Sequence, residues 1–106
     1  MKIHISGQQI EVTPALRQYV EEKIEKFPRL FENLTSLNVV LSVEKLQHKA
    51  DGTLAASGRV LHAVDTKSDM YASIDGMVDK LVAQLRKHKE KVKDHHQADA
   101  RKERYA

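Results

Sequence analysis

A chain of 106 residues has room for one domain with a modest core, because so small a domain leaves much of its surface exposed. The absence of cysteine excludes disulfides and thiolate chemistry, and the absence of a long apolar run or an apolar leader predicts a cytoplasmic protein. The formal net charge is +3, but residues 77–106 carry nine Lys and Arg against five Asp and Glu, which favours a polyanion as the partner of the C-terminal part.

The first predicted elements are a short strand and a helix. Residues 2–6 alternate between polar and apolar side chains, as a half-buried strand does. Thr13 followed by Pro14 is typical of a helix N-cap and first turn. Apolar residues then recur at helical spacing, namely Leu16, Val20, Ile24, Phe27 and Phe31. We therefore predict a helix over residues 14 to about 26, which Pro28 should end because proline disfavours helical geometry at the preceding residue.

The middle of the chain is predicted to be a set of antiparallel strands. Residues 37–44 alternate regularly and predict a strand with one buried face. Two turn signals follow, Asp51-Gly52 and Ser57-Gly58, and they give different hairpins. A turn at the first makes one long hairpin with Gly58 as a bulge.

A turn at Ser57-Gly58 instead makes strands near 47–56 and 60–66, with Gly52 inside the first of them. We favour this alternative because each strand then has an inward apolar face, formed by Leu54, Ala56, Leu61 and Ala63. The predicted order is β-α-β-β-β-α, an α+β fold in which two helices cover one face of a four-stranded sheet and the other face meets water.

The last predicted element is a long amphipathic helix over residues 68–96, which Ser68 or Asp69 can cap. Its apolar stripe consists of Met70, Ile74, Met77, Val78, Leu81, Val82, Leu85 and Val92. Basic and polar residues flank the stripe, with Lys80, Gln84, Lys87 and Lys91 on one side and Arg86, Lys89 and Lys93 on the other. Residues 1–96 are predicted to form the single domain, and residues 97–106 a flexible tail with too few apolar side chains to dock.

Two further lysines lie on the first predicted helix. Lys23 falls inside its apolar arc and Lys26 at the edge of the arc, where each can extend its ammonium group to solvent. No pattern of catalytic residues, phosphate-binding loop or dinucleotide fingerprint is present, and the six histidines are scattered. We therefore expect no enzymatic activity, no small-molecule substrate, no cofactor and no metal site.

Three stretches carry a resemblance to a known family: VTPALRQYVEEKIEKF, VVLSVEK and DMYASIDGMVDKLVAQLRKHKEK. From residue 1 to about 96 the chain resembles the bacterial ribosome hibernation-promoting factor and ribosome-associated inhibitor family, and the opening DMYxxID is its most distinctive part. The resemblance implies a domain shaped like double-stranded RNA-binding domains that occupies the mRNA and tRNA channel of the small ribosomal subunit. There it would silence translation in stationary phase.

The resemblance also selects the residues expected to contact 16S ribosomal RNA, beside neighbouring ribosomal proteins. Basic residues recur in relatives at the positions of Lys23, Lys26, Lys80, Lys87 and Lys91. Gln84, Arg86, Lys89 and Lys93 lie on the same helix flanks and complete the predicted RNA-binding set. A position that is often basic in relatives is Ala83 here, and Arg86 is expected to replace part of that contact. Lys45, Lys49 and Lys67 are expected to lie away from the C-terminal helix.

The length of the chain resembles the short form of the family, which lacks a second domain for ribosome dimerisation. Short inhibitor-type relatives end in an acidic tail, whereas the tail here contains Arg101, Lys102 and Arg104 against Asp99 and Glu103. The resemblance therefore implies the type that promotes inactive ribosome dimers together with a separate partner, the ribosome modulation factor. Two other classes stay open: a general double-stranded RNA-binding module, and a protein-interaction domain that uses the uncovered sheet face.

Overall fold

The structure is a computed structural model that describes residues 1–56 and 58–96, with only the backbone described for Leu30 and residues 88–96. Its elements in chain order are β1 (Lys2–Gln8), α1 (Pro14–Ile24), α2 (Phe27–Leu30), β2 (Leu34–Glu44), β3 (Gln47–Ala56), β4 (Arg59–Lys67) and α3 (Met70–His96). The predicted α+β order is therefore confirmed, with one short helix added. The tail at residues 97–106 lies outside the described residues.

The four strands form one mixed sheet in the order β1-β2-β3-β4. β1 runs parallel to β2, and the remaining pairs are antiparallel. Leu37, Leu54 and Leu61 are aligned across β2, β3 and β4, so their side chains lie on the same face of the sheet. α1 and α3 pack on that face, and β1 and β4 are left as the two edge strands.

The helices and the inner sheet face share one apolar core. Leu16, Val20 and Ile24 of α1 are buried, as the spacing predicts. The α3 stripe is buried at Met70, Ile74, Met77, Val78, Leu81 and Leu85, while Val82 is partly buried and the side chain of Val92 lies outside the described part. The prediction that α1 and α3 cover the same sheet face is therefore confirmed.

The hairpin between β3 and β4 turns after Ala56, at the second of the two predicted positions. Gly58 has a φ of +74°, a left-handed conformation that glycine adopts without steric cost. Gly52 lies inside β3 and is buried, because α3 crosses the strand at this point. A Cβ atom at position 52 would lie 2.5 Å from the sulfur of Met77, so a larger residue would force the Met77 side chain to move.

The region around Pro28 differs from the prediction. α1 ends at Ile24, two residues before the predicted end, and Pro28 lies in the first turn of α2 rather than ending a helix. Proline suits this place because the first turn of a helix does not use its N–H groups for intrahelical bonds. The break turns the chain so that Phe27 and Phe31 are both buried.

Two capping residues and one buried serine fix the helices. The hydroxyl of Thr13 accepts a 3.2 Å hydrogen bond from the N–H of Leu16, and the carboxylate of Asp69 accepts a 3.0 Å bond from the N–H of Ala72. Ser73 is fully buried, and its Oγ donates to the carbonyl of His48 at 2.6 Å and accepts from the N–H of Lys67 at 3.0 Å. The two bonds of Ser73 attach the start of α3 to the beginning of β3 and to the end of β4.

No helix in the described part of the chain is both long and apolar enough to cross a membrane.

Candidate RNA interface

Lys80 and Gln84 connect α3 to the edge strand β4. The Nζ of Lys80 donates a 2.7 Å hydrogen bond to the carbonyl of Val64, and the Nε2 of Gln84 donates a 2.8 Å bond to the carbonyl of His62. The two donors are one helical turn apart, and the two acceptors are two residues apart on the strand. Both side chains therefore donate hydrogen bonds to carbonyls of the edge strand β4. Without them, these carbonyls could accept hydrogen bonds from a strand of another molecule. Two residues of the predicted RNA-binding set, Lys80 and Gln84, therefore also bind the protein's own sheet.

A shared carboxylate holds Lys80 together with a lysine that was not in the predicted set. Oδ1 of Asp65 lies 3.4 Å from Nζ of Lys80, and Oδ2 lies 3.6 Å from Nζ of Lys67. The side chain of Asp65 is 10% exposed, whereas each lysine is 53% exposed. A carboxylate so shielded from water is stable only with such partners. The prediction that Lys67 lies away from the C-terminal helix is wrong, since these two lysines flank one carboxylate.

Lys23 lies at the seam between α1 and α3, where it pairs with Asp75. Its Nζ lies 3.1 Å from Oδ1 of Asp75, and the hydroxyl of Tyr19 donates a 2.7 Å hydrogen bond to the same oxygen. The Nζ of Lys23 is also 5.4 Å from the centre of the Tyr19 ring, within range of a cation–π contact. Lys23 does not simply extend to solvent from an apolar arc, because one carboxylate and one ring hold its ammonium group.

The same contacts shift the pKa of two groups in the α1–α3 seam. The hydrogen bond to Asp75, followed by the attraction of its negative charge, raises the pKa of Lys23. The hydrogen bond to Asp75, followed by burial and charge repulsion, raises the pKa of the Tyr19 hydroxyl. At neutral pH Lys23 is therefore charged and Tyr19 is a hydrogen-bond donor.

Tyr71 completes this seam on the α3 side. Its ring meets that of Tyr19 edge to face, with centroids 4.8 Å apart and an interplanar angle of 89°. Tyr19 and Lys23 are four residues apart on α1, and Tyr71 and Asp75 are four residues apart on α3, so each pair occupies one face of its helix. Sequence reasoning missed the tyrosines, although DMYxxID contains Tyr71 and Asp75 at this spacing.

The remaining predicted residues divide into two groups. Lys26, Arg86 and Lys87 are exposed, and none of them forms an ion pair or hydrogen bond among the side chains that the structure describes. Lys89, Lys91 and Lys93 belong to α3, but the structure describes only their backbone.

The described members of the predicted set lie on both flanks of α3. Lys80 and Gln84 face β4, whereas Lys23 faces the opposite flank of α3 across Asp75. By helical spacing, Lys87 continues the flank of Lys80, and Arg86 continues the flank of Asp75. Cations therefore lie along both sides of one long helix. Within the described residues, no group of three or more His, Cys, Asp or Glu side chains could hold a metal ion.

A four-stranded mixed sheet with helices on one face, and with cations along both flanks of a long helix, defines a small α+β domain. Solved structures share this fold, and two of them illustrate the similarity. One is a ribosomal subunit interface protein from Coxiella burnetii, with a TM-score of 0.80 and 28% identity, covering 85% of this chain and 99% of that one. The other is the N-terminal domain of Protein Y from Thermus thermophilus, with a TM-score of 0.78 and 30% identity. The match covers 83% of this chain and 99% of that domain.

The chain belongs to the Ribosomal_S30AE family, described as Sigma 54 modulation protein / S30EA ribosomal protein, whose pattern matches residues 3–93. Its relatives include the ribosome hibernation promoting factor of Escherichia coli strain K12, which is 45% identical over 95 residues, or 90% of this chain and all of that protein. The factor of the same name from Azotobacter vinelandii is 52% identical over 91 residues, 86% of this chain and 85% of that protein. The family resemblance noted in the sequence is confirmed.

Proposed function

We propose that this protein is a cytoplasmic ribosome hibernation factor that binds the small ribosomal subunit in the mRNA and tRNA channel. It acts by occupying the channel, which excludes mRNA and tRNA sterically and stops translation in stationary phase. It carries out no reaction and needs no cofactor. Together with the ribosome modulation factor it promotes the pairing of ribosomes into inactive dimers.

One observation carries this proposal: the match to a ribosome hibernation promoting factor extends over that relative's entire length. The region compared is 90% of this chain, and the family pattern at residues 3–93 begins in β1 and ends in α3. Relatives of this length and identity normally share a binding partner, whereas a shared fold alone supports no such inference.

The charges supply the physical mechanism of binding. Lysine and arginine neutralise RNA phosphates and release counterions, which gives an affinity that falls with salt. Lys26, Arg86 and Lys87 are available for such contacts without breaking an internal bond of the described side chains. Lys23, Lys67 and Lys80 are held in fixed positions by two carboxylates, which offset part of their positive charge. A rigid set of cations selects a folded RNA of matching shape rather than any polyanion.

Sedimentation at matched salt tests the proposal against the two alternative classes. The protein is incubated with small subunits, with large subunits and with a free RNA duplex of equal phosphate concentration. We expect it to co-sediment with small subunits only. Comparable binding to the duplex would indicate a general double-stranded RNA-binding module.

A second arm measures translation in a cell-free extract. Addition of the protein should lower synthesis from an mRNA, and prior loading of the small subunits with mRNA and initiator tRNA should reduce this inhibition because the channel is then occupied. Undiminished inhibition of preloaded subunits would contradict binding in the channel. Binding to small subunits without any inhibition would favour a protein-interaction domain.

A further inference from the structure

The ring of Tyr71 is an exposed aromatic surface that neither the core nor the ion pairs use. The chain has two phenylalanines, Phe27 and Phe31, and both are buried. Tyr71 is 38% exposed and lies at the α1–α3 seam beside the predicted RNA-binding residue Lys23. Among the side chains that the structure describes, none forms a hydrogen bond with its hydroxyl.

The ring of Tyr71 packs against the ring of Tyr19, which restricts its orientation. Tyr19 supports it edge to face at 4.8 Å, and the hydroxyl of Tyr19 is itself bonded to Asp75 at 2.7 Å. Asp75 is in turn paired with Lys23 at 3.1 Å. A ring held in this way loses little conformational entropy when a ligand covers it, which favours a flat ligand.

The chemistry of the seam indicates which flat ligand. Exposed aromatic rings beside cations are the recurrent platform for unpaired nucleotides, because every base offers a π-face and its phosphate is attracted by the cation. The charge of Asp75 is matched by Lys23, so this carboxylate does not leave an unpaired negative charge near the ring. We propose that the exposed ring of Tyr71, supported by Tyr19, stacks on one unpaired base of the ribosomal RNA. The inference rests on the proposed function and adds a base contact to a surface otherwise described by phosphate contacts.

Salt dependence separates stacking from charge. The affinity for small subunits is measured over a salt series for the unmodified protein and for Tyr71→Leu, Tyr71→Phe and Lys87→Ala. Removal of a stacking ring should lower the affinity about 5- to 150-fold at every salt concentration and leave the slope of log affinity against log salt unchanged. Tyr71→Phe keeps the ring and should bind within about twofold of the unmodified protein. Lys87→Ala should instead reduce the slope by about one.

A matched control removes exposed apolar surface elsewhere. Leu46 is 86% exposed between β2 and β3, and Leu46→Ser should leave both affinity and slope unchanged. A denaturant melt of each variant establishes that the assay compares folded proteins. The proposal is overturned if folded Tyr71→Leu binds like the unmodified protein, if it changes the slope, or if Leu46→Ser weakens binding as much.

A photochemical arm identifies the contacted molecule. Tyr71 is replaced by p-benzoylphenylalanine, and the small-subunit complex is irradiated. A cross-link to ribosomal RNA, mapped to an unpaired nucleotide, supports the proposal, whereas cross-links only to ribosomal proteins overturn it. If the unmodified protein does not bind small subunits at all, the proposed function fails and the inference fails with it. If binding is intact but indifferent to Tyr71, only the inference fails.

Discussion

Gly76 of α3 lies directly against the carboxylate of Asp65 in β4, so closely that a Cβ atom at position 76 would overlap the carboxylate. This approach brings the helix close enough to the edge strand for Lys80, one turn further along, to reach both Asp65 and the carbonyl of Val64. The position of one predicted RNA-binding lysine is therefore set by a glycine four residues away.

Gly76→Ala should destabilise the protein even though alanine is the better helix former. Alanine gains about 1 kcal/mol in helix propensity, but the overlap with Asp65 forces a shift of the kind that typically costs about 1 to 3 kcal/mol. We expect a net loss in the free energy of unfolding from urea melts. In an Asp65→Ala background the same change should cost much less, because the overlapping atoms are gone. Additive effects in this double-mutant cycle would contradict the contact.

Lys80→Glu should lower stability more than Lys87→Glu. The first change breaks the bond to Val64 and places a second carboxylate beside Asp65, so a loss of about 1 kcal/mol or more is expected. Lys87 is exposed on the same helix flank and has no such contacts with the side chains that the structure describes, so its replacement should change stability by less than about 0.5 kcal/mol. Equal melting midpoints for the two variants would show that the bond from Lys80 to Val64 contributes nothing.

Leu81→Ala should cost about 2 to 5 kcal/mol, the usual effect of truncating a buried leucine. Leu81 is fully buried on the α3 stripe, where it also lies close to Gly52 of β3. Ala83→Ser provides a control on the exposed side of the same helix and should have little effect. A Leu81→Ala variant as stable as the unmodified protein would mean that this stripe does not face the core.

The α1–α3 seam should lose stability at alkaline pH. Asp75 raises the pKa of both Tyr19, from an ordinary value of 10.0, and Lys23, from 10.5. A raised folded-state pKa contributes stability that is complete below the unfolded value and is lost as the pH rises through the folded value. The difference in free energy of unfolding between the unmodified protein and Asp75→Asn should therefore narrow as the pH rises above about 10.

Tyrosine absorbance at alkaline pH gives an independent check of the same contact. Tyr19 should ionise at a higher pH than its ordinary value of 10.0, and Asp75→Asn should lower that pH because the hydrogen bond and the negative charge are removed. Identical ionisation curves for the two proteins would contradict the bond between Tyr19 and Asp75.

The fold could be predicted from the sequence because its elements have clear local signals. Thr13-Pro14 marks the start of α1, and the period of the apolar residues distinguishes helices from strands. Inward-facing side chains favour the second of the two hairpin turns, and the structure supplies the reason: Gly52 lies inside β3 against Met77 and is not a turn residue. The start of α2 was missed because proline has opposite effects at the beginning and end of a helix.

The candidate site was only partly predictable. Sequence spacing identified the lysines on α3, but not the carboxylates that hold them. Asp65 and Lys80 are fifteen residues apart, and Tyr19 and Asp75 are 56 apart, so no local pattern joins either pair. Lys67 was missed for the same reason. Such pairs follow from the way α3 packs between β4 and α1, which only the three-dimensional structure provides.

The central claim is that specific cations, at the start of α2 and on α3, bind the small subunit and that net charge alone does not. The most direct test compares two triple variants that remove the same charge, Lys26→Gln with Arg86→Gln and Lys87→Gln, and Lys2→Gln with Lys45→Gln and Lys49→Gln. The affinity of each for small subunits is measured against salt. We predict that the first set weakens binding strongly and reduces the slope by about three, one for each lost phosphate contact, while the second set binds nearly as the unmodified protein does. Equal losses in both sets, or no loss in either, would contradict the claim.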